Sequence, residues 1–286
     1  MRHAILMTVY KNKEQIGDII NYFGRDFEFY IHIDKKSSLN LTDLSAYAEA
    51  DNIHIYKEYI VNWGSVNHLK TILFLSKKAL EDKKNGYFHL ISGQDFPVKT
   101  KEYFENDLNT EKDYVEYFDM PTKWWAGSGM ERIDRYNFYE LFDYKKFFGK
   151  VIIDLLVKIQ KVLKIHRKKT INQFFEKLYG GSTYWSLTRN SLRYVIEFTD
   201  ENMINCMKFT FCAEEIYFQT LLLNSKYAGN IVNDNLRYVD WNSGRGGFPA
   251  FLDETDYDKI KTSNKLFARK FHENNSEELK KLLTTK

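Results

Sequence analysis

The chain has 286 residues, 43% hydrophobic, 28% charged and 16% aromatic, with a formal net charge of +3. This is the composition of a globular protein; so small a charge gives no ground for nucleic-acid binding, and no run of about 18 apolar residues exists to span a bilayer. Three prolines, fourteen glycines and no Gly/Ser- or Pro-rich stretch leave no place for a linker, so one domain over 1–286 is expected.

Strand and helix patterns alternate through the first hundred residues. HAILMTVY (3–10) is an apolar run of strand length, and with no small-residue cleavage site it reads as a first strand rather than a secretion signal. Residues 13–23 place Ile16, Ile19, Ile20 and Phe23 at helical spacing. FEFYIHID (27–34) is a strand ending in Asp34, 41–50 reads as a helix, and NIHIYKEY (52–59) alternates with period two. A helix over 66–80 and a strand at GYFHLIS (86–92) follow. Strands separated by helices predict an α/β fold, a mostly parallel central sheet flanked by helices. Ligands bind beyond the carboxyl ends of such strands, which directs attention to Asp34-Lys35-Lys36-Ser37, Asn62-Trp63-Gly64 and Ser92-Gly93-Gln94-Asp95.

Further on, YVEYF (114–118) is a short strand and MERIDRYNFY (130–139) a polar aromatic stretch. KVIIDLLVKIQKVLK (150–164) is an amphipathic helix pattern with Ile152, Leu155, Leu156, Ile159 and Val162 on one face. Nine Lys/Arg and one Asp lie between 145 and 169. Two readings are open there: a surface helix with a solvated basic face, or a helix lying on an anionic membrane surface. GGSTYWSLTRN (180–190) reads as a turn and a strand, 214–225 as a helix, LRYVDW (236–241) as a strand and 277–283 as a last helix. Cys206 and Cys212 have no partners at metal-binding spacing, as in a reduced cytosolic chain.

No P-loop, G-x-G-x-x-G, H-E-x-x-H or zinc spacing is present. Glu214-Glu215 opens an apolar helix; such a pair either complements the helix dipole or supplies a general base toward a hydroxyl. Arg245 in SGRGGFP (243–249) and Arg269-Lys270 in KLFARKF (265–271) are cations suited to a phosphate or pyrophosphate. The alternative is surface charge on packed aliphatic stems. In KLFARKF the doublet stands between Leu266-Phe267 and Phe271, and burying a cation is costly unless an anion meets it. Asp256-Tyr257-Asp258 is an Asp-x-Asp match at a helix start, where i and i+2 diverge, so it reads as helix charge and no metal is expected.

Seven segments in order resemble the core-2/I-branching family, glycosyltransferase family 14, which also contains the peptide xylosyltransferases. They are YIHIDKKSS (30–38), NWGSVNHLKTIL (62–73), YFHLISGQDFPVKT (87–100), GGSTYWSLTRNSLRYV (180–195), AEEIYFQTLLLNS (213–225), LRYVDW (236–241) and KLFARKF (265–271). The resemblance implies a GT-A fold, an inverting mechanism, a UDP-sugar donor and no divalent metal or other cofactor. It divides the chain into a nucleotide-binding half (1–110) and an acceptor and catalytic half (111–286). Arg269 and Lys270, with Arg245 as a third cation, fall where basic side chains replace a metal at the diphosphate. Asp34 and Trp63 fall where the family holds uridine, and Asp95 falls by the donor sugar. Glu116, Arg132, Trp185 and Trp241 fall at acceptor-contacting positions.

Glu215 matches the catalytic base of the branching GlcNAc-transferases. Xylosyltransferases instead carry an Asp in a G-G-S-D-W segment, which here reads Gly181-Ser182-Thr183-Tyr184-Trp185 without an acid. The resemblance therefore favours GlcNAc as the transferred sugar. UDP-xylose, UDP-glucose or UDP-galactose are the alternatives, as is a non-catalytic carbohydrate-binding protein on this scaffold. Eukaryotic members are Golgi type II membrane proteins rich in disulfides. With two cysteines and no anchor or stem, the expectation is a bacterial, cytoplasmic member acting in surface polysaccharide assembly. Its acceptor would be a glycan or lipid-linked oligosaccharide, with residues 150–169 touching the inner face of the membrane.

Overall fold

The computed structural model describes residues 1–242 and 244–285; Ser243 of SGRGGFP lies outside the described residues. The chain runs β1 (Arg2–Val9), α1 (Lys13–Phe23), β2 (Glu28–Ile33), the single turn α2 (Ser45–Ala48), β3 (Ile53–Tyr56), α3 (Val66–Glu81), β4 (Asn85–Ser92) and β5 (Asp95–Pro97). It continues through β6 (Asp113–Met120), α4 (Glu131–Asp134), α5 (Phe147–Val162), β7 (Leu178–Thr188), α6 (Arg189–Phe198), α7 (Glu201–Met207) and α8 (Glu214–Leu223). The last elements are β8 (Ile231–Val232), β9 (Arg237–Val239), α9 (Tyr257–Thr262), β10 (Phe267–Arg269) and α10 (Glu277–Thr284).

The seven-stranded sheet has the order β3-β2-β1-β4-β7-β6-β8. Its pairings are parallel except those of β7, which runs antiparallel to both β4 and β6. The expected mostly parallel α/β architecture is met. Alternate residues of β1 explain why both faces are covered: Ala4 and Leu6 join a core with α3, α6 and α8, while Ile5 and Met7 join one with α1 and β10. Such strands read as continuous apolar runs because both faces are buried.

Several boundaries differ from the sequence reading. The helix expected over 41–50 is a 3-10 turn (Leu41–Leu44) followed by α2 alone, and α6 and α7 were not anticipated. Gly180-Gly181 lies within β7, not in a turn. A Cβ on Gly181 would stand 1.9 Å from the Glu116 carbonyl oxygen, so the glycine permits close approach of β6.

KLFARKF forms β10, in a small sheet ordered β5-β10-β9. Leu266, Phe267, Ala268 and Phe271 are buried and anchor the segment, which sets Arg269 directly opposite Asp95 of β5. No helix among the described residues is long and apolar enough to cross a membrane.

Candidate active site

A cavity of about 370 Å³ is lined by Glu116 of β6, Gly181–Tyr184 of β7, Glu215 of α8, residues of β9 and Arg269 of β10, with Trp125 and Trp241 among its walls. Two carboxylates of the sequence-derived set, Glu116 and Glu215, and one cation, Arg269, thus share a single cavity.

The two glutamates at the start of α8 have separated roles. Glu214 is buried, and its Oε1 meets His68 Nδ1 of α3 at 3.0 Å. Burial opposes charge on His68, but Glu214 and Glu215 together outweigh it and the ring's pKa moves up. Glu215 keeps 27% of its side chain exposed, and its Oε2 accepts a 2.6 Å hydrogen bond from Arg132 Nη1. The Arg132 guanidinium lies 3.5 Å from the Trp125 ring centroid, so ring and carboxylate fix it from two sides. Burial, reinforced by the neighbouring Glu214, pushes the Glu215 carboxyl up to about 7 against the pull of Arg132. A carboxylate poised near neutrality at a cavity wall has the properties of a general base.

The cations form the second part. Arg269 Nε approaches Asp95 Oδ1 at 3.5 Å, and its guanidinium lies 4.3 Å from the Tyr184 ring centroid. Asp95 is fully buried, its Oδ2 held by the Ser92 amide (2.8 Å) and hydroxyl (2.5 Å). Burial lowers the Lys270 pKa to about 8, helped by Arg269, Lys145 and Lys11. Like charges crowded in this way favour an anion between them. Lys11, just past β1, and Lys145 were missed by the sequence reading; the carboxyl end of β1 was the available signal for Lys11.

Asp34 and Trp63 are brought together. Asp34 Oδ1 accepts from the Lys36 amide (3.1 Å) and the Val61 amide (3.0 Å), tying the end of β2 to the segment before Trp63. Trp63 packs on Tyr139, Tyr144 and Phe211, with ring centroids 5.1–5.9 Å apart. Gly64 (φ +79°) accommodates Phe211, which would lie 2.4 Å from a Cβ there. Phe211 in turn lies 5.1 Å from the Arg132 guanidinium, so the Trp63 loop and the Glu215 site are contiguous.

Of the acceptor set, Glu116 lines the cavity and accepts a 2.6 Å hydrogen bond from Asn235 Nδ2; burial and Asp234 push its carboxyl up. Trp241 stands at the cavity, 58% exposed, against Phe248. Two assignments need correction. Trp185 is fully buried against Phe218, because strand alternation turns Tyr184 to the cavity and Trp185 to the core. Arg245 is neutralised by Asp240, Asp253 and Asp256, through contacts of 2.7–3.0 Å, and does not line the cavity. Those aspartates were in plain view in the sequence.

Asp256 is buried on Arg245 while Asp258 is exposed, so the Asp-x-Asp pair does not converge. Among the described residues, Cys212, Glu214 and Glu215 place donor atoms within 4.8 Å of one another. Burial and the two carboxylates push the Cys212 thiol well up, and the carboxylates are engaged by His68 and Arg132. This set is poorly suited to a cation.

The model of the Core-2/I-Branching enzyme family matches residues 6–262. Xylosyltransferase 2 of Rattus norvegicus is 24% identical over 229 residues, 76% of this chain and 24% of the relative. Xylosyltransferase 1 of the same organism is 26% identical over 235 residues, 78% of this chain and 26% of the relative. The chain thus spans about a quarter of the length of these curated relatives. Among solved structures, the apo bifunctional glycosyltransferase WbbM aligns over 95% of this chain and 46% of its own, at 10% identity and a TM-score of 0.40.

Proposed function

The chain belongs to the Core-2/I-Branching enzyme family, a family of glycosyltransferases, and we propose that it transfers a sugar, GlcNAc, from a UDP-sugar to a hydroxyl of a glycan acceptor, with inversion and without a divalent metal. The observation that carries this reading is the shared cavity of Glu215 and Arg269. In the proposed step, Glu215 takes the proton of the acceptor hydroxyl as that oxygen attacks the anomeric carbon. The bond from that carbon to the diphosphate breaks, and UDP departs with the electron pair toward Arg269 and Lys270. Asp34 and Trp63 of the 1–110 half hold the uridine, Asp95 lies by the donor sugar, and Glu116 and Trp241 face the acceptor. Arg132 positions Glu215 through its 2.6 Å bond. The setting is bacterial surface polysaccharide assembly at the cytoplasmic side, on a free or lipid-linked glycan.

A second donor is favoured by a specific observation: the relatives named above are xylosyltransferases. Against it, Tyr184 stands where the resemblance described above would place the acid of a xylosyltransferase. Thermal-shift screening of UDP-sugars in EDTA separates the two, since a bound donor stabilises the fold by mass action. UDP-GlcNAc is expected to raise Tm most. A larger shift with UDP-xylose would reverse the donor assignment, and shifts that require Mn²⁺ would overturn the metal-free reading.

Turnover also has an expected pH dependence. Glu215 acts only as the carboxylate, so the rate falls as pH drops through about 7. Arg132 favours the charged form, so Arg132→Met is expected to move this acid limb to higher pH. An unmoved limb would mean that another group sets it.

A further inference from the structure

The exposed side of α5 remains unaccounted for by sugar transfer. Gly149, Ile153 and Gln160 form its buried face. On another face, Phe148, Val151, Ile152, Leu155, Ile159 and Val162 recur at helical spacing, and all are exposed, Phe148 and Val162 at 79% and Leu155 at 54%. This is the stripe that an amphipathic helix ordinarily turns into a core. Lys150, Lys158 and Lys161 lie on the remaining arc; Lys161 pairs with Glu131 at 2.8 Å.

Just beyond the helix in the chain, residues 165–169 line a second cavity, of about 300 Å³. Ile165 forms part of its wall, with His166, Lys168, Lys169 and Lys208 around it and, among the described residues, no carboxylate in its lining. Arg167, which also lines it, is buried and fixes the loop by donating to the carbonyls of Ile133 (2.8 Å) and Cys206 (2.6 Å) and to Thr210 Oγ1 (3.0 Å). An exposed apolar stripe followed directly in the chain by a cationic pocket suits a bilayer surface, acyl region beside anionic headgroup. A second copy of the chain is a poorer occupant, because it would bring this same lysine-rich surface against its own charges.

We propose that the outer face of α5 and the 165–169/208 cavity together form a docking surface for an anionic phospholipid bilayer, with the cavity receiving a lipid phosphate. The surface is mechanically close to the transfer site. Lys161 holds Glu131 of α4, the helix that carries Arg132, and Tyr144, just before α5, packs on Trp63. Docking there would present the acceptor cavity to a lipid-borne substrate.

Cosedimentation of the whole chain with phosphatidylcholine vesicles, with and without phosphatidylglycerol, tests this. Binding is expected only with phosphatidylglycerol. The pair Leu155→Asp and Ile159→Asp should weaken it at least about tenfold. The pair Lys168→Glu and Lys169→Glu should weaken it by about tenfold or more. Unchanged melting temperatures and UDP affinities would establish that both variants are folded. Absence of vesicle binding, or equal binding to both compositions, would overturn the proposal. So would a dimer in sedimentation velocity that Leu155→Asp dissociates, since α5 would then be covered by a second copy. None of these readouts depends on turnover, so failure here leaves the transfer reading intact.

Discussion

Glu215→Gln is expected to bind UDP as tightly as the wild type and to lose sugar transfer by about 10²–10⁴-fold, the usual contribution of a positioned general base. The substitution is close to isosteric. The amide oxygen can still accept from Arg132, whose guanidinium remains supported by Trp125. The fold and donor site should therefore survive, and only proton acceptance is removed. Titration calorimetry with UDP and a UDP-release assay on the same preparation separate the two effects. Transfer near the wild-type rate would remove Glu215 from the mechanism and turn attention to Glu116, the other cavity carboxylate raised by burial.

Replacing the cations should have an effect of similar size for a different reason. In the proposed step Arg269 and Lys270 act on charge that develops on the departing diphosphate, where one well-placed donor is worth about 10²–10³-fold in rate. Lys270→Ala is the cleaner variant, because among the described residues its ammonium makes only a 3.4 Å contact, to the Phe248 carbonyl. Its removal should lower both UDP affinity and turnover without loss of stability. Arg269→Ala should lose turnover and also melt earlier, because it removes the guanidinium that approaches buried Asp95 at 3.5 Å. If both variants turn over normally, the diphosphate must be stabilised elsewhere.

KLFARKF illustrates what was legible in the sequence. Its apolar flanks announce burial and its doublet announces an anion, and the structure bears out the burial: Phe267 and Phe271 are core, and the cations stand in partial exposure beside Asp95. The α/β architecture was legible for a similar reason, since fully buried parallel strands are continuous apolar runs. Trp185 and Arg245 were misread because their neighbours decide their roles. One residue of strand phase separates cavity from core at Tyr184 and Trp185, and motif position is blind to phase. Arg245 carries the right charge, but aspartates on either side of it consume that charge. For α5, periodicity gave the apolar face correctly but not its destination; the structure leaves that face uncovered. The pairing of His68 with Glu214 joins residues 146 positions apart and has no local signature.

The most direct test of the account is the pH profile of UDP release from UDP-GlcNAc, with a glycan acceptor, in excess EDTA. Turnover is expected in the chelator, with an acid limb near pH 7 set by Glu215. Turnover that vanishes in EDTA and returns with Mn²⁺, or that persists undiminished well below pH 7, would contradict it.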